Sequence, residues 1–162
     1  MITQRELEYT IGLLGDRLVE RGLTLSCAES CTGGLAASLL TDISGSSRWF
    51  VGGIVAYANQ IKTNILGVAE SILIEHGAVS SETVLAMAAG VRRTMQADVS
   101  FALSGVAGPT GGTPEKPVGT VWIAWDIGER HISDVYHLGG DRQEIKFQSA
   151  AHAITRLAEL LE

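Results

Sequence analysis

All three prolines of this chain lie in one stretch, "SGVAGPTGGTPEKPVG", residues 104–119. Proline lacks the amide hydrogen that helices and inner strands need, so this stretch can be neither helix nor central strand. It reads as a long loop, and such a loop inside a compact domain is either functional or disordered. Its small residues and few charges favour function. The regular structure must therefore be built from the residues before 104 and those after 119.

Before the loop, helical and strand-like patterns alternate. Thr3 and Glu6 have capping-box spacing, and Ile11, Leu14 and Leu18 then repeat at helical intervals up to Gly22. Leu23 to Ala28 reads as a short buried strand, and Gly33 to Ile43 as a helix ended by Ser44-Gly45-Ser46-Ser47. "WFVGGIVAY", residues 49–57, is rich in β-formers, and its Gly52-Gly53 pair predicts a bulge or a close backbone approach. Asn59 to Leu66 reads as a short helix with Asn59 as its cap, and Glu70 to His76 as another helical turn. Ser80 or Ser81 caps a stronger helix, Glu82 to Met95, and Val99 to Leu103 is the next strand.

After the loop, "TVWIAWDIGERHISDVYHL" predicts a hairpin turning at Gly128-Glu129, and the last helix runs from about Asp141 to Leu161. This order predicts an α/β fold: a single three-layer α/β/α domain over residues 1–162. Its sheet should be mixed and mostly parallel, with about five strands and an antiparallel member from the hairpin.

Bulk properties narrow the function. Hydrophobic residues make up 46% and charged residues 19%, enough for a buried core in 162 residues. A net charge of −6 argues against a nucleic-acid partner, because phosphate backbones are held by clustered Lys and Arg. No apolar run approaches the roughly 18 residues needed to span a bilayer, and the N-terminus lacks signal-peptide character. The chain reads as soluble and cytoplasmic, with no membrane partner. Cys27 and Cys31 are its two cysteines, and its four histidines are scattered, so neither a disulfide framework nor a metal site is expected. A small anionic ligand remains compatible, since one arginine and a helix N-terminus can hold a phosphate.

Chemistry concentrates in "CAESCTGG", residues 27–34, at a strand-to-helix junction where open α/β sheets bind ligands. Ser30 would leave the strand at the positive end of the next helix, a setting for a developing oxyanion or a phosphate. Two readings stand together here: Ser30 as a nucleophile, or the Ser/Thr/Gly group as helix cap and turn. Cys27 and Cys31 read as small core residues, although a thiolate at a helix N-terminus is activated and keeps Cys31 in view. A serine nucleophile needs a base. Lys62, in "AYANQIK" near Tyr57 and Asn59, would serve if burial holds it neutral, or it is a solvated helix lysine. Arg142 in "GGDRQEIK" opposes the dipole of the helix it opens, which favours an anion-binding role, while Asp141 can cap that helix.

Four pieces, "AESCTGG", "GGIVAYANQIKTNILGV", "SGVAGPTGGTPEKPVGTVWIA" and "GGDRQEIK", occur in the order seen in the CinA C-terminal domain family, which contains the nicotinamide mononucleotide deamidases. The resemblance spans roughly Leu13 to Leu161 and is to the stand-alone form, without the molybdopterin-binding-like domain of longer members. It implies hydrolysis of the carboxamide of nicotinamide mononucleotide to nicotinate mononucleotide and ammonia, a step in pyridine nucleotide salvage toward NAD. It implies Ser30 as nucleophile, Lys62 as general base and Tyr57 as a further catalytic residue, with no metal and no organic cofactor. Thr32, Gly33 and Gly34 would support the oxyanion. Asn59, Gly105, Gly108, Thr110, Gly111 and Arg142 would contact the nucleotide, Arg142 through its phosphate or ribose. Glu29 reads as orienting either the turn or neighbouring donors, and not as the base. Ala58 and Lys146 stand where family members often carry serine and arginine, and neither change removes a group the chemistry needs.

Three rival readings remain: a catalytically inactive nucleotide-binding paralogue, a cysteine hydrolase using Cys31, and an interaction domain acting through oligomerisation. The composition is compatible with a homodimer.

Overall fold

A computed structural model describes all 162 residues, Met1–Glu162. Helix α1 (Gln4–Arg21) starts at the expected capping box, where Thr3 and Glu6 satisfy each other's backbone amides, and stops at Gly22 in the left-handed region. Strand β1 (Leu25–Glu29) is buried along its whole length, and the seven-residue α2 (Leu35–Thr41) begins after a tight turn. After a single 3₁₀ turn at Ser46–Arg48 come β2 (Phe50–Val55), α3 (Asn59–Asn64), α4 (Glu70–His76) and α5 (Ser81–Met95), capped by Ser80. Strand β3 (Val99–Gly105) enters the proline loop. Strands β4 (Thr120–Ile127) and β5 (Arg130–His137) form the predicted hairpin, and α6 (Arg142–Leu160) closes the chain behind a capping box of Asp141 and Glu144.

One expectation fails at α3. Asn59 is already helical and Ala58 occupies the cap position, with no side-chain cap at all.

The five strands form one sheet in the order β2-β1-β3-β4-β5. Strand β1 is parallel to β2 and β3, and β4 is antiparallel to both β3 and β5. Strand β5 therefore runs with β1, β2 and β3, and β4 is the one reversed member of a mixed, mostly parallel sheet. The glycine pair in β2 does both things expected of it. The register slips at Val51 between the pairs Leu25–Phe50 and Ser26–Gly52, and a Cβ on Gly53 would lie 2.9 Å from Cys27 Sγ.

The two faces of the sheet are packed differently, a consequence of the period-two alternation of strand side chains. Val99, Phe101 and Leu103 of β3 and Val121, Ile123 and Trp125 of β4 join a 25-residue core beneath α1, α2 and α6. The opposite face presents Ala28, Ala102 and Ala124, small enough for α5 to lie close, in a smaller core of 10 residues. Ser100 Oγ donates to the Ala88 carbonyl at 2.7 Å across that contact. Gly90 of α5 meets the chain after α3, where a Cβ would fall 1.9 Å from the Leu66 carbonyl oxygen. No helix is long and apolar enough to cross a membrane.

Candidate active site

The carboxyl ends of β2, β1 and β3 lie side by side, and the chain leaves each of them into a segment singled out by sequence: Tyr57-Ala58, Ser30-Cys31 and Val106-Ala107. Ser30 is fixed on both sides. Its N–H donates to Leu103 O at 3.1 Å, and its own carbonyl accepts from Gly33 N–H at 3.1 Å, closing a turn with Cys31 and Thr32 at its centre. Gly33 (φ 64°) and Gly34 (φ 104°) then bend the backbone through conformations that glycine adopts without strain.

Lys62 arrives from α3. It is 1% exposed, and its Nζ lies 2.9 Å from Ser30 Oγ, 2.8 Å from the Ala56 carbonyl and 3.0 Å from the Tyr57 carbonyl. No carboxylate pairs with it. Burial therefore lowers its pKa from 10.5 to about 8. The stoichiometry suits a base: a neutral amine has two hydrogens, which the two carbonyls accept, and one lone pair, which is left to receive the Ser30 hydroxyl hydrogen. The solvated-lysine alternative is excluded by this burial.

Ser30 and Cys31 line a cavity of about 310 Å³ together with Tyr57, Gly105, Val106, Ala107, Gly108, Thr110, Gly111 and Arg142. The structure thus gathers most of the residues picked from sequence. Tyr57 contributes its largely exposed side chain to the wall and its carbonyl, not its hydroxyl, to Lys62. Arg142 donates to the Gly108 carbonyl at 2.6 Å, bracing the proline loop, and has no acidic partner. Lys146, one turn further along α6 and likewise free of acids, brings its Nζ to 3.9 Å from where a Cβ on Gly33 would stand. Val106 and Ala107 also line the cavity, and apart from their place in the proline loop nothing in the sequence marks these two residues individually.

Other assignments need correction. Asn59 lies outside the cavity, in a separate surface depression with Gln60, Thr63 and Glu70. Gly33 and Gly34 cannot supply oxyanion donors, because Gly33 N–H is bonded to Ser30 O and Gly34 N–H to Glu29 Oε2 at 3.1 Å. The N-terminus of α2 is likewise occupied: Ala36 and Ala37 donate to the Glu29 carboxylate at 3.0 and 2.8 Å. Thr32 is buried, with its hydroxyl donated to the same carboxylate. The backbone amides left without an oxygen acceptor are those of Cys31 and Thr32, next after the serine. Cys27 and Cys31 are free thiols, and burial raises Cys31 from 9.0 to about 11, unlike an activated nucleophile. No three His, Cys, Asp or Glu side chains gather into a metal-binding group.

Fold and site together define an α/β protein with a buried serine–lysine pair at the carboxyl ends of parallel strands, beneath a cavity of small-molecule size. Residues 8–161 match the model of the CinA C-terminal domain, and the chain belongs to that family. It is 43% identical over 157 residues to the nicotinamide-nucleotide amidohydrolase PncC of Escherichia coli strain K12, a match covering 96% of this chain and 95% of that protein. It is 49% identical over 146 residues to a CinA-like protein of Thermotoga maritima, covering 90% of this chain but spanning about a third (35%) of that relative. Among solved structures, a competence/damage-inducible protein from Agrobacterium tumefaciens superposes with a TM-score of 0.93 at 37% identity, covering 96% of each chain. A CinA superfamily protein from Escherichia coli gives 0.94 at 34%, covering 99% of this chain and 93% of that one.

Proposed function

We propose that this chain is an amidohydrolase that converts nicotinamide mononucleotide to nicotinate mononucleotide and ammonia, with Ser30 as nucleophile and Lys62 as general base. The observation that carries the reading is the 2.9 Å contact between Ser30 Oγ and a buried, acid-free Lys62 Nζ. The activity in the name of the 43% identical Escherichia coli relative supports the choice of substrate.

In the first half-reaction neutral Lys62 takes the hydroxyl proton as Ser30 Oγ attacks the carboxamide carbon. The carbonyl oxygen becomes an oxyanion beside the Cys31 and Thr32 amides, which have no oxygen acceptor of their own. The C–N bond then breaks, the Lys62 ammonium returns its proton to the leaving nitrogen, and ammonia departs from the Ser30 acyl ester. In the second half-reaction Lys62 deprotonates a water, which attacks the ester and releases the carboxylate while Ser30 recovers its hydrogen. Arg142 and Lys146, cations without acidic partners in a chain of net charge −6, provide the positive rim for the substrate phosphate. The product feeds pyridine nucleotide salvage.

The test is ammonia release from nicotinamide mononucleotide by wild type, Ser30→Ala and Cys31→Ala. Turnover by wild type and Cys31→Ala with a silent Ser30→Ala is the expected result. A silent Cys31→Ala beside an active Ser30→Ala would transfer the nucleophile to the thiol. A wild type that the nucleotide stabilises against heat without cleavage would make the domain a binding module.

A further inference from the structure

Glu29 is a buried carboxylate that takes part in none of the bond-making or proton-transfer steps proposed above. It is 1% exposed, has no cationic partner, and lies next to the nucleophile. Its two oxygens accept four hydrogen bonds, from Thr32 Oγ1 and from the amides of Gly34, Ala36 and Ala37. A buried charge of this kind is tolerable only when its acceptor sites are filled and a favourable dipole faces it, which the first turn of α2 supplies.

We propose that Glu29 is a positioning residue for amide cleavage: it pins the turn after Ser30 so that the Cys31 and Thr32 amides stay free for the substrate's carbonyl oxygen. The proposal rests on the Ser30 reading above. Between Ser30 and Ala37, the amides of Gly33 and Leu35 bond to Ser30 O and Thr32 O, and those of Gly34, Ala36 and Ala37 bond to Glu29. The amides of Cys31 and Thr32 alone find no oxygen, although both residues are buried. A turn free to relax would swing such amides onto a nearby carbonyl oxygen. Here relaxation is blocked. The carboxylate holds the turn from below through the Thr32 hydroxyl and from beyond through the α2 amides, with Gly33 and Gly34 providing the bend between. The helix dipole is thereby spent on Glu29, and the oxyanion site moves to the two amides nearest the nucleophile.

The experiment compares steady-state ammonia release by full-length wild type, Glu29→Gln, Thr32→Val and Thr32→Ser, each checked for a cooperative melt. Glu29→Gln puts an amide NH₂ against an N–H donor and lets the turn relax. It should lower kcat about 100-fold, the size associated with losing one oxyanion donor, with KM within about threefold of wild type. The pH dependence of kcat/KM should keep its inflection near 8, since Lys62 is untouched. Thr32→Val keeps the carboxylate but removes the hydroxyl that ties it to the turn, and should lower kcat about tenfold, while Thr32→Ser restores it. A folded Glu29→Gln with wild-type kcat overturns the proposal, as does a loss carried by KM or a displaced inflection. If Glu29→Gln does not fold, the Thr32 pair decides, and equal kcat for Thr32→Val and Thr32→Ser overturns it. A wild type that releases no ammonia overturns the amidase reading and this inference with it. Wild-type turnover with unaffected variants overturns the inference alone.

Discussion

Raising the pH through 8 should switch on catalysis by discharging Lys62, and the size of the effect is set by its surroundings. Its ammonium is buried among carbonyls without a carboxylate, which lowers its pKa from 10.5 to about 8. At pH 7 about one molecule in ten then carries the neutral base, against about one in three thousand for an ordinary lysine, a gain of about 300-fold in competent enzyme. The assay is kcat/KM for ammonia release from pH 7 upward, where the substrate phosphate, with a second ionisation near 6, is already fully charged. The rate should climb about fivefold between pH 7 and 8 and level off above about pH 9, at about ten times its value at pH 7. A profile that is flat from pH 7, or that is still climbing at pH 10, would refute the reasoning.

The same titration must appear in stability. Below pH 8 both folded and unfolded Lys62 are protonated, and the folded state bears the full cost of the buried charge. Between 8 and 10.5 the unfolded chain binds the extra proton, so stability rises with pH across that window and no further above it. The gap between the two pKa values amounts to about 3 kcal/mol. The Cys31 thiol, raised to about 11, works in the opposite direction between pH 9 and 11, because there the unfolded chain loses its proton first. The clean quantity is therefore the difference in unfolding free energy between wild type and Lys62→Met, which shares the cysteines. It should shift toward wild type by about 3 kcal/mol between pH 7.5 and 10.5. A constant difference would mean that Lys62 is not carrying a buried charge at neutral pH.

Two further outcomes are expected. Arg142→Ala should raise KM for the nucleotide at least tenfold with a smaller change in kcat, and should leave KM for the corresponding nucleoside unaffected, since only the nucleotide carries the phosphate; equal effects on both would place Arg142 in loop bracing alone, through its bond to Gly108 O. Gly90→Ala should destabilise the fold by about 1–3 kcal/mol in denaturant titrations, because its Cβ would fall 1.9 Å from a carbonyl oxygen, and a wild-type midpoint would contradict the close packing of α5 on the chain after α3.

What the sequence reveals about this molecule divides according to the reach of each signal. Both long terminal helices were legible because their start signals, the Thr3–Glu6 capping box and Asp141 as a cap, are local, and the structure adds Glu144 as the second half of a box on Asp141. The β2 distortion was legible for the same reason, since two adjacent glycines in a β-rich run have few other uses. Asn59 misled because capping preference is a local statistic, while the start of α3 is set by where β2 ends and where Lys62 must reach. The Ser30–Lys62 pair is 32 residues apart, and its contact depends on β1 lying beside β2, which no local pattern encodes. Sequence therefore supplied the two residues, and the resemblance joined them before the geometry did. Of the three residues expected to support the oxyanion, Thr32 keeps an amide without an oxygen acceptor, whereas Gly33 and Gly34 do not, for a related reason. Gly33 and Gly34 look like a ligand's approach to the backbone, but in the fold they carry the chain over the Glu29 carboxylate, whose burial no composition or spacing discloses. A charged residue beside a nucleophile invites a role in proton transfer. Here it accepts four hydrogen bonds from Thr32 and the first turn of α2, while the Ser30 hydroxyl has its partner in Lys62 Nζ.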